Sequence, residues 1–223
     1  MDKKEIAKEI ENFAPLTLAE EWDASGWVVE TDKPEINKIL LCLTVTDDIV
    51  NQAKAKNCDM IISHHPLFFV PFEYKDIDIY CAHTNMDSTH GGTTDTLIET
   101  FGFAPEVAEH PFVRIVNTDI SVEDLAKRLR KVSPNLRYVS NKGIKTLKTI
   151  AFCAGSGSEF IKETDCDAYV TGDLKFHTAV ESAKVLFDIG HFESEILILD
   201  VFEKLLSDKV KVIRAKERSP FIY

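Results

Sequence analysis

Residues 58–66 read CDMIISHHP, and this stretch decides the fold class of the chain. Its apolar centre at residues 59–62 predicts a buried strand that ends directly in a polar turn, SHHP. A second apolar run, KILLCLTV at residues 38–45, precedes it, and a short helix is predicted between the two at residues 47–56. Strands that alternate with helices in this way are typical of α/β proteins.

The same alternation continues along the rest of the chain. Further strands are predicted at residues 78–82, 112–116, 136–139, 145–152, 168–171, 185–188 and 210–214. Further helices are predicted at residues 3–13, 94–101, 121–132, 159–163, 177–184 and 190–206. Ser121 is the expected N-cap of its helix, with Asp124 as its reciprocal partner. Residues 20–27 have no clear period and are predicted to be a loop.

The sequence contains a weak internal echo. Residues 166–172, CDAYVTG, resemble residues 58–64, and each segment precedes a strand that ends in a histidine motif, at His83 and at His191. One interpretation is an α/β fold of two related lobes of mixed β-sheet with flanking helices around a central metal-binding cleft. The lobes would then cover about residues 1–120 and 121–223. The other interpretation, equally open from the sequence, is that the two segments look alike only because βαβ units share a common pattern of strands and helices.

Composition narrows the class of protein. The chain has 223 residues, 44% of them hydrophobic, as expected for a globular protein. A formal net charge of −11 disfavours binding to nucleic-acid backbones, which usually need a basic face. No apolar run approaches the roughly 20 residues that cross a bilayer, and the first residues do not resemble a signal peptide. Five cysteines without a CxxC pair fit reduced thiols, so a soluble cytoplasmic protein is expected.

Histidines are concentrated at predicted strand ends and helix starts. Only His110 lies outside such motifs; the others are His64, His65, His83, His90, His177 and His191. Because α/β folds place ligands outside the carboxyl ends of their strands, this clustering favours a common site. Any one of these residues alone would be interpreted as a surface or hydrogen-bonded core histidine.

Two motifs point to metal binding. Pro66 holds His65 in an extended geometry, which would let two adjacent imidazoles reach two neighbouring ions; a chance His-His pair in a loop is the alternative. On a helix, His191 and Glu195 are i and i+4 and share one face, whereas Glu193 points away. Helix capping is the favoured explanation for at least one of these two glutamates.

A third motif, HTNMD at residues 83–87, adds a carboxylate. Asp87 can ligate or bridge ions, and His83 can ligate, orient Asp87 or act as an acid/base. A mixed nitrogen and oxygen donor set without thiolate suits zinc, iron, manganese, cobalt or nickel. Residues 155–158, GSGS, could receive a phosphate at a helix start, although a tight turn is the favoured interpretation.

With IISHHPLFF, HTNMDSTHGGTTDTL and TGDLKFHTAVESAKVLFDIGHFESE assembled, the chain resembles the Nif-three-like dinuclear metal-centre family, often labelled GTP cyclohydrolase I type 2 homologues. The resemblance runs from residue 20 to the last strand. It implies two divalent metal ions per chain, two lobes around a metal-lined cleft, and homo-oligomers, commonly hexameric rings. An inserted middle domain found in some members has no room in this chain. The metal ligands implied by the resemblance are His64, His65, Asp87, His191 and Glu195.

The chain departs from the family pattern at two positions. Thr44 stands where aspartate is frequent in the first strand, and Thr94 stands where asparagine is usual after Gly-Gly. The stretch between His177 and His191 is also a few residues short. Neither substitution removes an implied ligand. Four other motif residues would face the cleft: His83, His90, Asp173 and His177.

The sequence supports two functional hypotheses. The first is a metal-dependent hydrolase acting on a nucleotide or phosphorylated small molecule, including GTP, with proton transfer by His83, His177 or Glu193. The second is a non-enzymatic metal-handling or regulatory protein. An open coordination position would favour the first hypothesis, and a closed site would favour the second.

Overall fold

The computed structural model describes residues 1–107 and 110–222, which form two units. Unit 1 consists of Met1–Gly92 and Ile198–Arg218, and unit 2 consists of Thr93–Leu197 with the residues from Ser219 onward. The division therefore lies after residue 92 and not near residue 120, where the sequence placed it. The reason is that Arg114–Ser121 is a single strand whose partners all lie in unit 2, while the chain returns to unit 1 at Ile198.

Strands and helices alternate as the sequence predicts. The strands in the described residues are β1 (Gly26–Val29), β2 (Lys38–Cys42), β3 (Met60–Ser63), β4 (Asp78–Cys81), β5 (Glu106–Val107), β6 (Arg114–Ser121), β7 (Arg137–Val139), β8 (Thr146–Phe152), β9 (Ala168–Thr171), β10 (Val185–Asp188) and β11 (Lys211–Arg214). The α-helices there are α1 (Lys3–Phe13), α2 (Asp47–Ala55), α3 (Thr84–Ser88), α4 (Thr93–Thr100), α5 (Val122–Leu129), α6 (Phe176–Glu181), α7 (His191–Glu195) and α8 (Ile198–Leu206).

Each unit is built on one mixed sheet. The sheet of unit 1 has the order β1-β4-β3-β2-β11, in which only β1 runs antiparallel to its neighbour. The sheet of unit 2 has the order β5-β6-β8-β9-β10-β7, with β8, β9 and β10 parallel. The parallel strands are buried apolar runs, as in Leu40, Ile61 and Val170, because flanking elements cover both faces. The predicted α/β class with mixed sheets is confirmed.

The two sheets share a strand plan, which favours a true repeat over chance. In unit 1, β2, β3 and β4 are parallel neighbours and β1 pairs antiparallel with β4. In unit 2, β8, β9 and β10 are parallel neighbours and β7 pairs antiparallel with β10. Even the Cys-Asp motif has the same role. The Asp59 carboxylate accepts the N–H groups of Asn37 and Lys38 beside β2, and the Asp167 carboxylate accepts those of Lys148 and Thr149 in β8.

Three local predictions need correction. The predicted loop at 20–27 contains the start of β1, which begins at Gly26 with a φ of +111° and pairs irregularly with β4. The segment at 159–163 is a short 3₁₀ helix, Ser158–Ile161. The predicted helix at 190–206 is two helices, α7 and α8, because the first belongs to unit 2 and the second buries its apolar face in unit 1. The Ser121 N-cap is present, and its hydroxyl accepts the Asp124 N–H.

No helix in the described part of the chain combines the length and apolarity needed to cross a membrane. The helix α1, for example, has 11 residues, against the roughly 20 that a bilayer requires.

Candidate metal centre

Three histidines of unit 1 converge because β3 and β4 are parallel neighbours. β3 ends just before His64 and His65, and β4 ends two residues before His83. The ring centroids of His64 lie 5.2 Å from those of both His65 and His83, and the His65 and His83 centroids are 5.7 Å apart. One ligand atom from each ring lies within 4.8 Å of the others. These three rings can therefore bind one ion, which agrees with the ligand role that the sequence allowed for His83, although the set implied by the family resemblance leaves it out.

Each of these rings uses its Nδ1 for a contact within unit 1. His64 Nδ1 donates to the Ala82 carbonyl at 2.9 Å, and His83 Nδ1 lies 2.9 Å from an oxygen of Asp23. His65 Nδ1 lies 2.7 Å from the Thr44 hydroxyl. Such contacts fix the orientation of a histidine ring and direct its Nε2 toward a metal. The donor chemistry therefore fits a divalent ion bound through Nε2 atoms.

Asp87 adds a carboxylate to this cluster. It lies on α3, and its Oδ1 is 3.4 Å from Nε2 of His64, a side chain that is completely buried. An imidazole nitrogen and a carboxylate oxygen thus face the same point. The i, i+4 relation of His83 and Asp87 in unit 1 repeats that of His191 and Glu195 in unit 2.

Asp23 is a site residue that sequence reasoning missed. Its carboxylate accepts hydrogen bonds from the backbone of Ala24 and Thr84, from the hydroxyls of Ser25 and Thr84, and from His83. Although burial raises the pKa of Asp23, the hydrogen bonds from His83, Thr84 and Ser25 hold it far below its usual value. Asp23 is therefore an ionised carboxylate that orients His83. In the sequence it stands only in the aperiodic stretch at residues 20–27, where the family resemblance begins.

In unit 2, the helix α7 places a histidine between two carboxylates. His191 Nε2 lies 2.9 Å from an oxygen of Glu195, and its Nδ1 lies 2.7 Å from an oxygen of Asp173. Burial lowers the pKa of His191, but the hydrogen bonds and negative charges of Glu195 and Asp173 outweigh it and raise the pKa to about 9. The same arrangement suits a metal ion, which would replace the proton between His191 and Glu195 while Asp173 keeps the ring oriented.

The glycine turn at residues 155–158 packs directly against this histidine and carboxylate. Gly155 has a φ of +63°, and its N–H donates to the Ser194 hydroxyl at 2.9 Å. A Cβ atom on Gly155 would collide with the Glu195 carboxylate and lie 3.6 Å from His191 Nε2. The turn therefore allows a close approach of backbone to these side chains, in agreement with the favoured interpretation of a tight turn.

The two threonines that depart from the family pattern both make polar contacts next to these clusters. The Thr44 hydroxyl meets His65 Nδ1, as described above. The Thr94 hydroxyl accepts the Ala154 N–H at 3.1 Å and donates to the Phe112 carbonyl at 3.2 Å. It thereby braces the residue that precedes Gly155. In this chain a threonine hydroxyl therefore makes the polar contact at each of these two positions.

The remaining predicted residues are placed less centrally within their units. The Glu193 carboxylate folds back against Gly190 at the start of α7, while the Gly190 N–H donates to Asp188. His177 is exposed on α6 and packs edge-on against the Phe176 ring at 5.5 Å. His90 is exposed in the turn after α3. Their predicted roles near a substrate stay predictions.

Comparisons with known proteins agree with the motif-based resemblance. The Duf34/NIF3 (NGG1p interacting factor 3) family model matches residues 1–220. A GTP cyclohydrolase 1 type 2 homolog of Clostridium perfringens is 32% identical in an alignment 261 positions long, gaps included, which covers 99% of each chain. The protein of the same name from Campylobacter jejuni is 31% identical in an alignment 244 positions long, gaps included, which covers 100% of each chain.

The solved structure of reduced HcgD from Methanocaldococcus jannaschii is similar to this chain with a TM-score of 0.85 and 27% identity, covering 97% of this chain and 98% of that one. Family match, sequence identity and fold point the same way. The chain belongs to the DUF34/NIF3 family, together with the GTP cyclohydrolase 1 type 2 homologues.

Proposed function

We propose that this protein binds two divalent metal ions through His64, His65, Asp87, His191 and Glu195 and hydrolyses a nucleotide or a phosphorylated small molecule. The observation that carries the proposal is the shared orientation of the ligand histidines. Each has its Nδ1 engaged, by Ala82, Thr44 or Asp173, while Nε2 of His64 and of His191 faces a carboxylate. Protein metal sites are commonly organised in this way.

The donor set restricts the cofactor. Nitrogen and oxygen ligands without thiolate suit zinc, iron, manganese, cobalt or nickel. Such ions, when bound, activate water and neutralise negative charge on a substrate. Cys81 is buried in β4 and Cys153 is buried directly after β8, and burial raises the pKa of the Cys81 thiol well above its usual value.

His83 is the side chain best placed in unit 1 to move a proton. Asp23 accepts the hydrogen bond from Nδ1, which leaves Nε2 as the basic nitrogen of the neutral ring. The ring lies edge-on to both His64 and His65. A carboxylate that orients a histidine in this way also stabilises the imidazolium formed when Nε2 takes up a proton.

The names of two relatives suggest a nucleotide as the substrate. The proteins from Clostridium perfringens and Campylobacter jejuni carry the name GTP cyclohydrolase 1 type 2 homolog, so GTP is the first substrate to test. Chemistry resides in the site and not in the fold, so the name alone does not assign the reaction. The family description also names an interaction with NGG1p, which supports the second candidate function, a non-enzymatic metal-binding partner of other proteins.

The decisive experiment is metal content followed by a hydrolysis screen. Protein purified without chelator or affinity-tag nickel is expected to hold about two ions per chain by elemental analysis, since the ligands suffice for a dinuclear centre. The metal-loaded protein is then expected to release product from GTP or another nucleotide. Less than about a tenth of an ion per chain, persisting after reconstitution with zinc, iron and manganese, would reject the metal proposal. Full loading without turnover of any nucleotide would favour the binding protein.

Metal binding is also expected to depend on pH. Because an ion must displace the proton of His191, whose pKa is raised from 6.5 to about 9, affinity should increase as the pH rises toward 9 and should level off above it. Zinc titrations at pH values between 6.5 and 9, in which the release of protons is also recorded, measure this change in affinity. Asp173→Asn removes one of the two charges that raise this pKa and should move the plateau to lower pH. An affinity that is constant across this range would contradict the assignment of His191 as a ligand.

A further inference from the structure

The segment that follows β11 is attached to unit 1 by a specific set of backbone contacts. The Ala215 N–H donates to the Leu41 carbonyl at 2.8 Å. The side-chain amide of Gln52 on α2 binds both backbone groups of Lys216, accepting its N–H at 2.9 Å and donating to its carbonyl at 2.8 Å. Residues 215–218 have no regular secondary structure, so these contacts determine their course.

This course delivers the Glu217 carboxylate to the end of β2. One oxygen accepts the Leu43 N–H at 2.7 Å, and the other lies 3.4 Å from the Thr44 nitrogen, which donates to it. Both amides come directly after the last residue of β2, where the ladder of strand hydrogen bonds ends. A charged acceptor shared by two successive amides fixes the orientation of the peptide between them.

The same two residues hold His65. The Leu43 carbonyl accepts the His65 N–H at 2.8 Å, and the Thr44 hydroxyl meets His65 Nδ1 at 2.7 Å. The backbone and the ring of His65 therefore both bind to Leu43 and Thr44, the two residues whose peptide group Glu217 holds in place. The segment after β11 is thus connected to His65 in two steps. The Glu217 carboxylate binds the amides of Leu43 and Thr44, and the Thr44 hydroxyl binds the His65 ring.

We propose that Glu217 is a positioning residue for His65, and that the segment 215–218 thereby sets the metal affinity of the site to which His65 contributes. This inference rests on the proposed metal-binding function. Contacts that hold a ligand ring in the orientation that coordination needs are worth about 10–100-fold in metal affinity. Glu217 supports such a contact, that of Thr44 with His65, from one residue further out. Displacement of the segment, by cleavage or by a partner that binds it, would then lower metal occupancy without touching a ligand.

The test is a cobalt(II) titration of metal-free protein, followed by visible absorption, in the wild type and three variants. Glu217→Ala should weaken binding at one of two sites by about 10–100-fold and alter the absorption of that site. Glu217→Gln keeps an acceptor for the Leu43 N–H and should recover part of the loss. Gln52→Ala, which releases Lys216, should weaken the same site. Glu163→Gln, an exposed glutamate of unit 2, is the control and should bind as the wild type does.

The outcomes separate the two proposals. If the wild type binds cobalt at no site, the metal-binding function fails and this inference fails with it. If the wild type binds and both Glu217→Ala and Gln52→Ala match it in affinity and absorption, Glu217 only stabilises the strand end and the inference is overturned. Thermal melting of each metal-free variant identifies any loss of folding, and in that case Glu217→Gln and Gln52→Ala decide.

Discussion

The variant His64→Ala is expected to have a metal affinity more than roughly 100-fold below that of the wild type. The expected decrease exceeds the one caused by removing a group that only orients a ligand. His64 is the most buried of the candidate ligands, and its Nδ1 is committed to the Ala82 carbonyl. Removing the ring deletes the Nε2 donor that faces the Asp87 carboxylate. Elemental analysis and zinc titration of the purified variant measure the loss, and any metal-dependent hydrolysis should disappear with it.

Two further variants show whether a loss in His64→Ala comes from the ligand or from the fold. The truncation leaves the Ala82 carbonyl buried without its donor, which costs about 1–3 kcal/mol of stability. His64→Asn places a side-chain N–H where Nδ1 stood, so it can keep a donor for Ala82 but lacks Nε2. It should therefore fold better and still lose metal. His110→Ala removes a histidine outside the candidate clusters, one that packs on Phe160, and should retain metal. Retention of full metal content by His64→Asn would remove His64 from the ligand set.

The second large effect is expected from Gly155→Ala. The added Cβ would collide with the Glu195 carboxylate and would lie next to His191 Nε2. Glu195 must then move away from His191, so we expect metal binding to unit 2 to fall at least as far as on loss of an outer contact, about 10–100-fold. The left-handed backbone adds a stability cost of about 1–2 kcal/mol for any residue with a Cβ.

Gly143→Ala is the matched control for this variant. Gly143 also lies in unit 2 and has a φ of +68°, close to the +63° of Gly155, but a Cβ there would meet nothing within 4 Å. Both variants should therefore lose similar stability from backbone strain, as measured by chemical denaturation. Only Gly155→Ala should lose metal. Equal metal affinities in the two variants would show that the close packing of Gly155 on Glu195 has no role in binding.

Most strands were predictable because the parallel strands are buried on both faces and appear as continuous apolar runs. The bounds of β9 and β10 were obtained from the sequence without error. Strand β1 was missed because it is a four-residue edge strand that begins at a glycine and pairs irregularly. The division between α7 and α8 was missed because the apolar periodicity continues through residue 197, and only the packing of α8 in unit 1 separates them.

The pairing of His191 with Glu195 could be proposed from spacing, whereas the roles of Asp23 and Glu217 could not. His191 and Glu195 share a helix face, and this relation follows from sequence distance alone. Asp23 is 60 residues from His83, and Glu217 is 174 residues from Leu43. Contacts of that range depend on the order of strands in a sheet, which a single sequence does not specify. Thr44 and Thr94 could be recognised as departures from the family pattern, but the contacts of their hydroxyl groups become visible only in the folded chain.

The return of the chain to unit 1 at Ile198 has a consequence for biosynthesis. Residues 93–197 of unit 2 are contiguous, so their sheet is complete as soon as β10 leaves the ribosome and domains begin to fold as units. The sheet of unit 1 must wait for β11, which pairs with β2 more than 160 residues after that strand was made. Glu217 arrives later still. A ribosome-bound intermediate with a complete second sheet and an incomplete first one would therefore leave His65 without the support of Glu217 until residue 217 has emerged from the ribosome.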